Sequence, residues 1–345
     1  MNMMAKIGNA ELLHQAKVTR ALGSPFVAAV LEAAQRQIDR APRTAALIAN
    51  WPGNPAAAAI AMRFNGAIHA LARQGKLPRL HALYQREHDD YDGAIGDALA
   101  AEDGFIATWM LDPPQTNEVG RSAGIIAALM VARQETGCAF DLLELGSSCG
   151  LNLNLARYAY DLGGTAAGAT DSPVFIAPGW RGPAPAFAPV DVVRARGVDL
   201  SPLDPKDAAT RERLLSFIWA DQRERANRLE QALDLALRHP PRVDRANAVT
   251  WLAAQLQTPQ RKGVCRTIFH SMVLQYLNET DRLIVEGMIR RAGEQATAEH
   301  PLAWISFEWT PTRSEVHLLL TCWPNGTTRH LATCHPYGDW VEWHG

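Results

Sequence analysis

The 345-residue sequence lacks most features that would place it in a specialised class of proteins. Its five cysteines are scattered without a C-x-x-C pair, so we expect reduced thiols and a cytoplasmic location. With 34 Lys+Arg against 36 Asp+Glu, the charge gives no argument for a nucleic acid or an anionic membrane as partner. No basic-then-apolar leader and no long uncharged apolar run occur, so we expect neither secretion nor a membrane span.

Several short motifs are also absent. No G-x-G-x-x-G indicates a dinucleotide fingerprint. His317, His330 and His335 surround a predicted hairpin, but no H-x-x-x-H or Cys/His spacing forms a recognisable ligand set. We therefore expect no metal site.

What is present is a hydrophobic fraction of 47% and a clear change of pattern along the chain. Helical periodicity dominates residues 1–137, which we predict to be an all-helical module. We expect this module to act as a lid over a ligand site in the second domain, on the side where the acceptor of a transferred group would bind. From Cys138 onward, strands alternate with helices, and Pro324-Asn325-Gly326 marks an antiparallel hairpin. Residues 138–345 therefore predict an α/β domain with a mostly parallel sheet that ends in this C-terminal hairpin. Such a sheet resembles the seven-stranded, Rossmann-like sheet of class I methyltransferases, and the resemblance implies a methyltransferase-type domain.

The most informative stretch is a buried strand followed by a turn of small residues, residues 141–152. Glu144-x-Gly146-x-Ser148-x-Gly150 resembles the first motif of class I S-adenosylmethionine (SAM)-dependent methyltransferases, with Ser148 at the middle glycine. Glycines here leave backbone amides accessible to a ligand. The resemblance implies SAM as cofactor, and the alternative is an ordinary strand–helix turn. The predicted cofactor residues of this stretch are Glu144, Gly146, Ser147, Ser148, Gly150 and Asn152.

Ligands in open α/β sheets lie outside the carboxyl ends of the strands, so the polar groups at two further strand ends are also candidates for ligand binding. Asp199 is predicted to bind the ribose hydroxyls, and the alternative is a turn aspartate beside Ser201-Pro202. Asn247, followed by Ala248, is predicted to bind the adenine amino group; it could equally cap the next helix.

The next strand end is predicted to carry the catalytic groups. His270 is a candidate general base and Tyr276 a candidate for orienting the acceptor, although a lone histidine at a strand end is often structural. Adjacent Ser271 is not a convincing nucleophile, because neighbouring strand side chains point to opposite faces.

A polar cluster, Asn117, Glu118 and Arg121, has helical spacing after Pro113-Pro114 and could line a pocket over the sheet. We assign Glu118 and Arg121 to catalysis and Asn117 to substrate binding. The simpler alternative is a capped helix with one surface ion pair. Three further substrate-binding candidates are Trp180, Gln275 and Glu308.

The whole chain also resembles the bacterial domain-of-unknown-function family 2332. The segments that carry the resemblance are 116–121, 143–154, 160–164, 196–204, and 270–271 with 275–277. The family pattern has Asp where this chain has Asn247. The resemblance implies a Rossmann-like domain and a site that includes the cluster at 117–121, but no activity.

Three functions stay open at this point. The first is methyl transfer from SAM to an unidentified small molecule. The second is a non-catalytic protein that binds a nucleotide or metabolite on a methyltransferase-like fold, or an interaction scaffold. The third is a hydrolase that uses His270 with a carboxylate.

Overall fold

The computed structural model describes residues 3–55 and 58–345, and the chain divides into two compact units. The helical unit comprises Met1–Thr116 and Ala208–Asn227, and the sheet unit comprises Asn117–Asp207 and Arg228–Gly345. The sequence prediction placed one boundary at residue 137. In this division, residues 117–137 belong to the sheet unit and a later segment, 208–227, belongs to the helical unit.

The described residues form eleven α-helices. They are α1 Met3–Ala21, α2 Pro25–Gln37, α3 Pro42–Ala49, α4 Ile60–Gln74, α5 Pro78–Tyr84, α6 Tyr91–Leu111, α7 Ser122–Thr136, α8 Ala208–Ser216, α9 Arg223–Arg238, α10 Ala248–Gln257 and α11 Glu279–Glu294. Proline opens α2, α3 and α5, where its missing N–H costs nothing. Asn54-Pro55 predicts a helix start by the same kind of signal, but α4 begins at Ile60; residues 56 and 57 lie outside the described residues.

Twelve strands lie in the described part of the sheet unit. They are β1 Ala139–Leu145, β2 Ala159–Leu162, β3 Thr165–Gly168, β4 Phe175–Ile176, β5 Gly179–Arg181, β6 Val192–Asp199, β7 Val243–Arg245, β8 Val264–Ser271, β9 Leu302–Trp309, β10 Val316–Trp323, β11 Thr327–Cys334 and β12 Trp340–Trp343. Nine of them form one sheet in the order β5-β12-β11-β10-β9-β8-β1-β6-β7. β3, β2 and β4 form a separate small sheet.

The predicted coarse architecture is confirmed. The neighbouring strands β7, β6, β1, β8 and β9 pair in parallel. The strands β9, β10, β11 and β12 continue as an antiparallel meander. The strand number was wrong: the sheet has nine strands rather than seven, because β12 pairs with β11 and β5 pairs with β12. These two edge strands are only four and three residues long, so their sequences give little periodicity.

The stretch after the glycine turn also differs from the prediction. The sequence predicts a helix through Leu153, Leu155 and Tyr158, and the structure has a 3-10 helix, Leu151–Arg157. The sequence also predicts a largely irregular segment at 161–189 with one short strand at 173–176, whereas β2, β3, β4 and β5 lie between residues 159 and 181. Tyr158 and Tyr160 are buried there, and both hydroxyls donate to carbonyl oxygens of the 3-10 helix, at Leu151 and Leu155.

Helices cover both faces of the sheet. Leu143, Ile268 and Trp304 pack on one face with residues of α10 and α11. On the other face α7 approaches closely at Gly124, which lies against Phe307 and Leu318. Because side chains alternate along a strand, successive residues pack against the helices on opposite faces of the sheet.

A helix that spans a lipid bilayer must be long and apolar. Across residues 3–55 and 58–345, every helix is too short or too polar to cross one.

Candidate functional site

The sheet reverses its strand order beside β1. The chain continues from β1 to β6 on one side and later adds β8 on the other. In open α/β sheets, ligands bind in the crevice at such a switch point, outside the carboxyl ends of the strands. The glycine turn directly follows β1 at this place, so the predicted site and the topological switch point coincide.

The turn uses the left-handed backbone region three times. Gly146, Ser148 and Gly150 have φ of 68°, 53° and 74°. Ser148 stands where the methyltransferase motif has its middle glycine, and it adopts the conformation that glycine takes at least cost. The departure from the motif therefore changes the side chain while the backbone keeps a conformation suited to glycine.

The amides of the turn, expected to be accessible to a ligand, are bonded within the chain. Ser147 N donates to Val198 O at 3.0 Å, and Gly150 N donates to Ser147 O at 2.7 Å. Ser148 N donates to Asp199 Oδ2 at 2.8 Å. The turn thus holds an acidic side chain of the neighbouring strand.

Neighbouring side chains also fill the space over the two glycines. A Cβ at Gly146 would meet the side chain of Val273, and one at Gly150 would meet Pro241 and Val243. Sequence reasoning missed Val273, because nothing in an apolar residue after a strand indicates that it faces a glycine.

A cavity of about 290 Å³ lies next to the turn. Its lining is mostly proline and aliphatic, with one acid and one lysine: Cys149, Pro202, Leu203, Asp204, Pro205, Lys206, Pro240, Pro241 and Val243. The volume is at the lower end of the roughly 300–1,000 Å³ of small-molecule sites. The cavity is joined to the turn through Leu203 N, which donates to Ser148 O at 3.1 Å.

The two acceptor residues predicted for the nucleoside have partners in the chain. Asp199 Oδ1 accepts from Ser201 N at 2.8 Å, while its other oxygen accepts from Ser148. Each carboxylate oxygen accepts more than one hydrogen bond, so capacity for a diol remains. Asn247 Oδ1 accepts from Val249 N at 2.8 Å and caps α10, whose first residue is Ala248. The helix-cap alternative for Asn247 thus describes its present contacts.

Glu144 is the most unusual group at the end of β1. It is 2% exposed, and burial raises its pKa to about 8, with polar groups of Ser147 and Asn152 opposing the shift. Among the described residues, its Oε2 has no hydrogen-bond donor, and neither has Asn152 Oδ1. Two buried acceptors without donors are costly, at about 1–3 kcal/mol each, so a proton or a ligand donor is expected there.

His270 has both ring nitrogens occupied and is fully buried. Trp304 Nε1 donates to Nε2 at 2.9 Å, and Nδ1 lies 2.7 Å from Glu308 Oε1. Because an indole N–H can only donate, Nε2 accepts and the proton is on Nδ1, from which it is donated to the carboxylate. The ring therefore offers no nitrogen to a substrate.

Sequence reasoning missed Trp304, although a signal was present. Trp304 and Glu308 are four residues apart in β9, so their side chains share a face. The register pairs His270 with Ser306, between them. Glu308 Oε1 also accepts from Val273 N at 2.9 Å and Leu274 N at 3.3 Å, which fixes the segment that covers Gly146.

Glu144 and His270 point to opposite faces of the sheet. Leu143 and Leu145 pack on the α10–α11 face, so Glu144 between them points to the α7 face. Ile268 packs on the α10–α11 face, so His270, two residues on, points there as well. The structure therefore does not bring Glu144 and His270 together.

The polar cluster after Pro113-Pro114 connects loops at the ends of β1 and β8. Asn117 Oδ1 accepts from Leu151 N at 2.8 Å. Glu118 Oε1 accepts from Gly120 N at 3.1 Å and lies 3.7 Å from Arg228. Arg121 donates to the carbonyl oxygens of Pro336 and Ser271, at 2.8 and 3.2 Å.

The remaining candidates lie in different places. Tyr276 is 77% exposed just beyond β8, and Gln275 Nε2 donates to Met272 O at 3.2 Å. Trp180 lies in β5, six strands from β1 and thus roughly 30 Å away. Its indole N–H donates to Pro183 O at 3.0 Å, and its ring packs on Trp343. Trp180 is therefore not part of this edge.

Fold and site define an α/β protein with a mostly parallel sheet and a glycine turn at its switch point. The chain belongs to a family of uncharacterized proteins conserved in bacteria, domain-of-unknown-function family 2332, whose model matches residues 9–343. No curated protein and no solved structure matches the chain.

Proposed function

We propose that the chain binds SAM at the switch-point edge of its sheet and transfers the methyl group to a small-molecule acceptor. The observation that carries the proposal is the pair of buried acceptors without donors, Glu144 Oε2 and Asn152 Oδ1, on either side of the glycine turn. An amino group is the ligand chemistry that supplies donors to both. The methionine part of SAM carries such a group.

The other residues of the edge fit the rest of this ligand in chemistry. Asp199 has spare acceptor capacity for ribose hydroxyls, and the proline-lined cavity beside Cys149 suits a flat, largely apolar base. At Gly146, the Val273 side chain occupies the space against the backbone. Binding therefore requires the segment after β8 to move.

SAM supplies an electrophilic methyl group when it is bound. The contribution of the protein would be to position the acceptor in line with that group, which needs orientation more than acid–base chemistry. His270 is unsuited as a base, because both nitrogens are bonded. Tyr276 remains the acceptor-side candidate because it is exposed at the same edge. The lid role predicted for the helical module stays part of this proposal.

Calorimetry with the full-length protein tests the proposal. SAM and S-adenosylhomocysteine should bind the wild type, and D199N should bind both more weakly. V273A should bind more tightly, because the side chain over Gly146 is shortened. V193A changes an exposed valine and serves as the control. No heat with either ligand in both the wild type and V273A would contradict the proposal.

A second candidate is non-catalytic binding of a nucleoside-type metabolite in the same cavity. The enclosed His270 favours it, since the residue placed for proton removal cannot reach a substrate. Adenosine binding without methyl transfer from labelled SAM across a metabolite panel would support this candidate over the first.

A further inference from the structure

The helical unit contains a cavity of about 380 Å³, larger than the one beside the glycine turn. It lies between α4, α5 and the start of α9. Eight residues line it, and most of them are polar: His69, Ala72, Arg73, His81, Tyr84, Gln85, Ala220 and Arg223. Two arginines and two histidines with no acid among the lining residues make it a basic cavity.

The walls of this cavity are fixed by contacts within the helical unit. His69 and Tyr84 stack with centroids 5.3 Å apart, and Phe26 packs edge-on against Tyr84 at 4.9 Å. His69 Nδ1 donates to Ser216 O at 3.2 Å, and His81 Nδ1 donates to Ala72 O at 3.0 Å. The rings are therefore held in place without a ligand, which lowers the entropic cost of binding one.

The charges nearest the cavity are unevenly compensated. Arg73 pairs with Glu212 through two hydrogen bonds of 2.9 and 3.1 Å. Asp221, the nearby acid, accepts from the Ser24 hydroxyl and from Phe26 N. Within the described residues Arg223 makes no ion pair, and it is the first residue of the 16-residue helix α9. A helix start carries a partial positive charge, which adds to that of the guanidinium.

Tyr84 adds a neutral donor. Its hydroxyl has no hydrogen-bond partner among the residues that the structure describes, although the tyrosine lines the cavity. Burial raises the pKa of Tyr84, so the hydroxyl keeps its proton at neutral pH. Burial lowers the pKa of His69 to about 4, so that ring stays neutral and the positive charge comes from the arginines.

We propose that this cavity binds the phosphate or carboxylate group of a small anionic metabolite, with Arg223 and the Tyr84 hydroxyl as donors to its oxygens. A guanidinium matches the geometry of an oxyanion, and charge-assisted hydrogen bonds of this kind are about twice as strong as neutral ones. The cavity volume lies within the roughly 300–1,000 Å³ of small-molecule sites.

The test uses the full-length protein and measures thermal unfolding and calorimetric binding. Inorganic phosphate and, in a separate arm, succinate are compared with sodium chloride at equal ionic strength. At least one of them should raise the Tm of the wild type more than chloride does, and the better arm identifies the oxyanion. R223A and Y84F should each weaken that binding by about tenfold or more.

R20A is the matched control, since it removes an exposed arginine of the same unit that pairs with Glu32 and does not line the cavity. It should bind like the wild type. Y84F removes only a hydroxyl, so it stays informative if R223A is unstable. Equal stabilisation by chloride, or unchanged affinity in both R223A and Y84F, would overturn the proposal.

Discussion

The cavity beside the glycine turn and the cavity of the helical unit differ in what their polar groups already bind. At the edge of the sheet, the turn amides and the oxygens of Asp199 are bonded within the chain. In the helical unit, Arg223 and the Tyr84 hydroxyl have no such partners among the described residues. A sequence motif therefore predicts the position of a ligand site in a fold, whereas the hydrogen bonds within the chain decide which polar groups a ligand can bind.

The sheet edge itself contains both kinds of group. His270 is bonded at both nitrogens, whereas Glu144 Oε2 has no donor within the described residues. Variants at these positions sharpen or break the comparison, because removal of a bonded group should lower stability, whereas removal of a buried acid without a donor should raise it.

The largest effect is expected for H270A. It leaves the Trp304 indole and the Glu308 carboxylate without their partner in a buried environment, so unfolding free energy should fall by about 3–5 kcal/mol. Chemical denaturation measures this loss. H239A, at an exposed histidine of the same unit, should change stability by less than about 0.5 kcal/mol. A stable H270A protein would mean that His270 does not hold this network.

The next effect is a pH dependence that Glu144 causes. Its folded pKa of about 8 lies above the ordinary value of 4.5, so between these values the folded state holds a proton that the unfolded state has lost. Stability contributed by this group is therefore full below pH 4.5 and falls as pH rises towards 8. At about 1.4 kcal/mol per unit, and with the folded carboxyl half ionised at pH 8, E144Q should exceed the wild type by about 4 kcal/mol at that pH.

Unfolding of both proteins between pH 4.5 and pH 8 measures that difference. It should shrink towards zero at the acid end. E342Q, at an exposed glutamate of β12, should show no such trend. A constant difference between E144Q and the wild type would show that Glu144 is ionised in the folded protein.

A smaller loss of stability is expected from alanine substitutions at two glycines with positive φ, of which only Gly150 is closely packed. G150A places a methyl group against Pro241 and Val243 at φ 74°, and should cost about 2–4 kcal/mol. G137A has φ 68° with open space around it, so it should cost only about 1 kcal/mol. Equal losses in chemical denaturation would mean that the space beside Gly150 is not filled.

The smallest effect concerns Ser148. S148G should be about 1 kcal/mol more stable than S148A, because both lack the hydroxyl and only alanine has a Cβ at φ 53°. Comparing the two by chemical denaturation separates the backbone conformation from the side-chain contacts of Ser148. No difference would argue against the left-handed backbone at this position.

The sequence predicted the large elements well, because their signals are local. Apolar runs located β1, β8 and β9, and Pro324-Asn325-Gly326 located the hairpin. The strands β5 and β12 were missed, since three or four residues cannot show periodicity and their pairing is long-range. A helix was predicted after the glycine turn, but not its 3-10 form at Leu151–Arg157, where the hydroxyls of two buried tyrosines further along the chain donate to its carbonyl oxygens.

The candidate site divided in the same way. Sequence spacing brought Asp199 and Ser148 to one edge, and the structure joins them by a hydrogen bond of 2.8 Å. Sequence spacing gave no indication that Val273 lies over Gly146. The hydrogen bond between Trp304 and His270 was missed although Trp304 and Glu308 share a strand face, because it joins two separate strands. The alternation of side chains along a strand could have predicted that Glu144 and His270 point to opposite faces, since the apolar residues around each indicate which face is buried.

By itself, the sequence determined the order of the longer helices and strands, the left-handed glycines of the turn and the family to which the chain belongs, because these follow from local backbone preference and residue order. Only the tertiary structure decided which polar groups are already paired. Hydrogen bonds such as those of His270 and Asp199 form between segments distant in the sequence, so their availability to a ligand depends on packing.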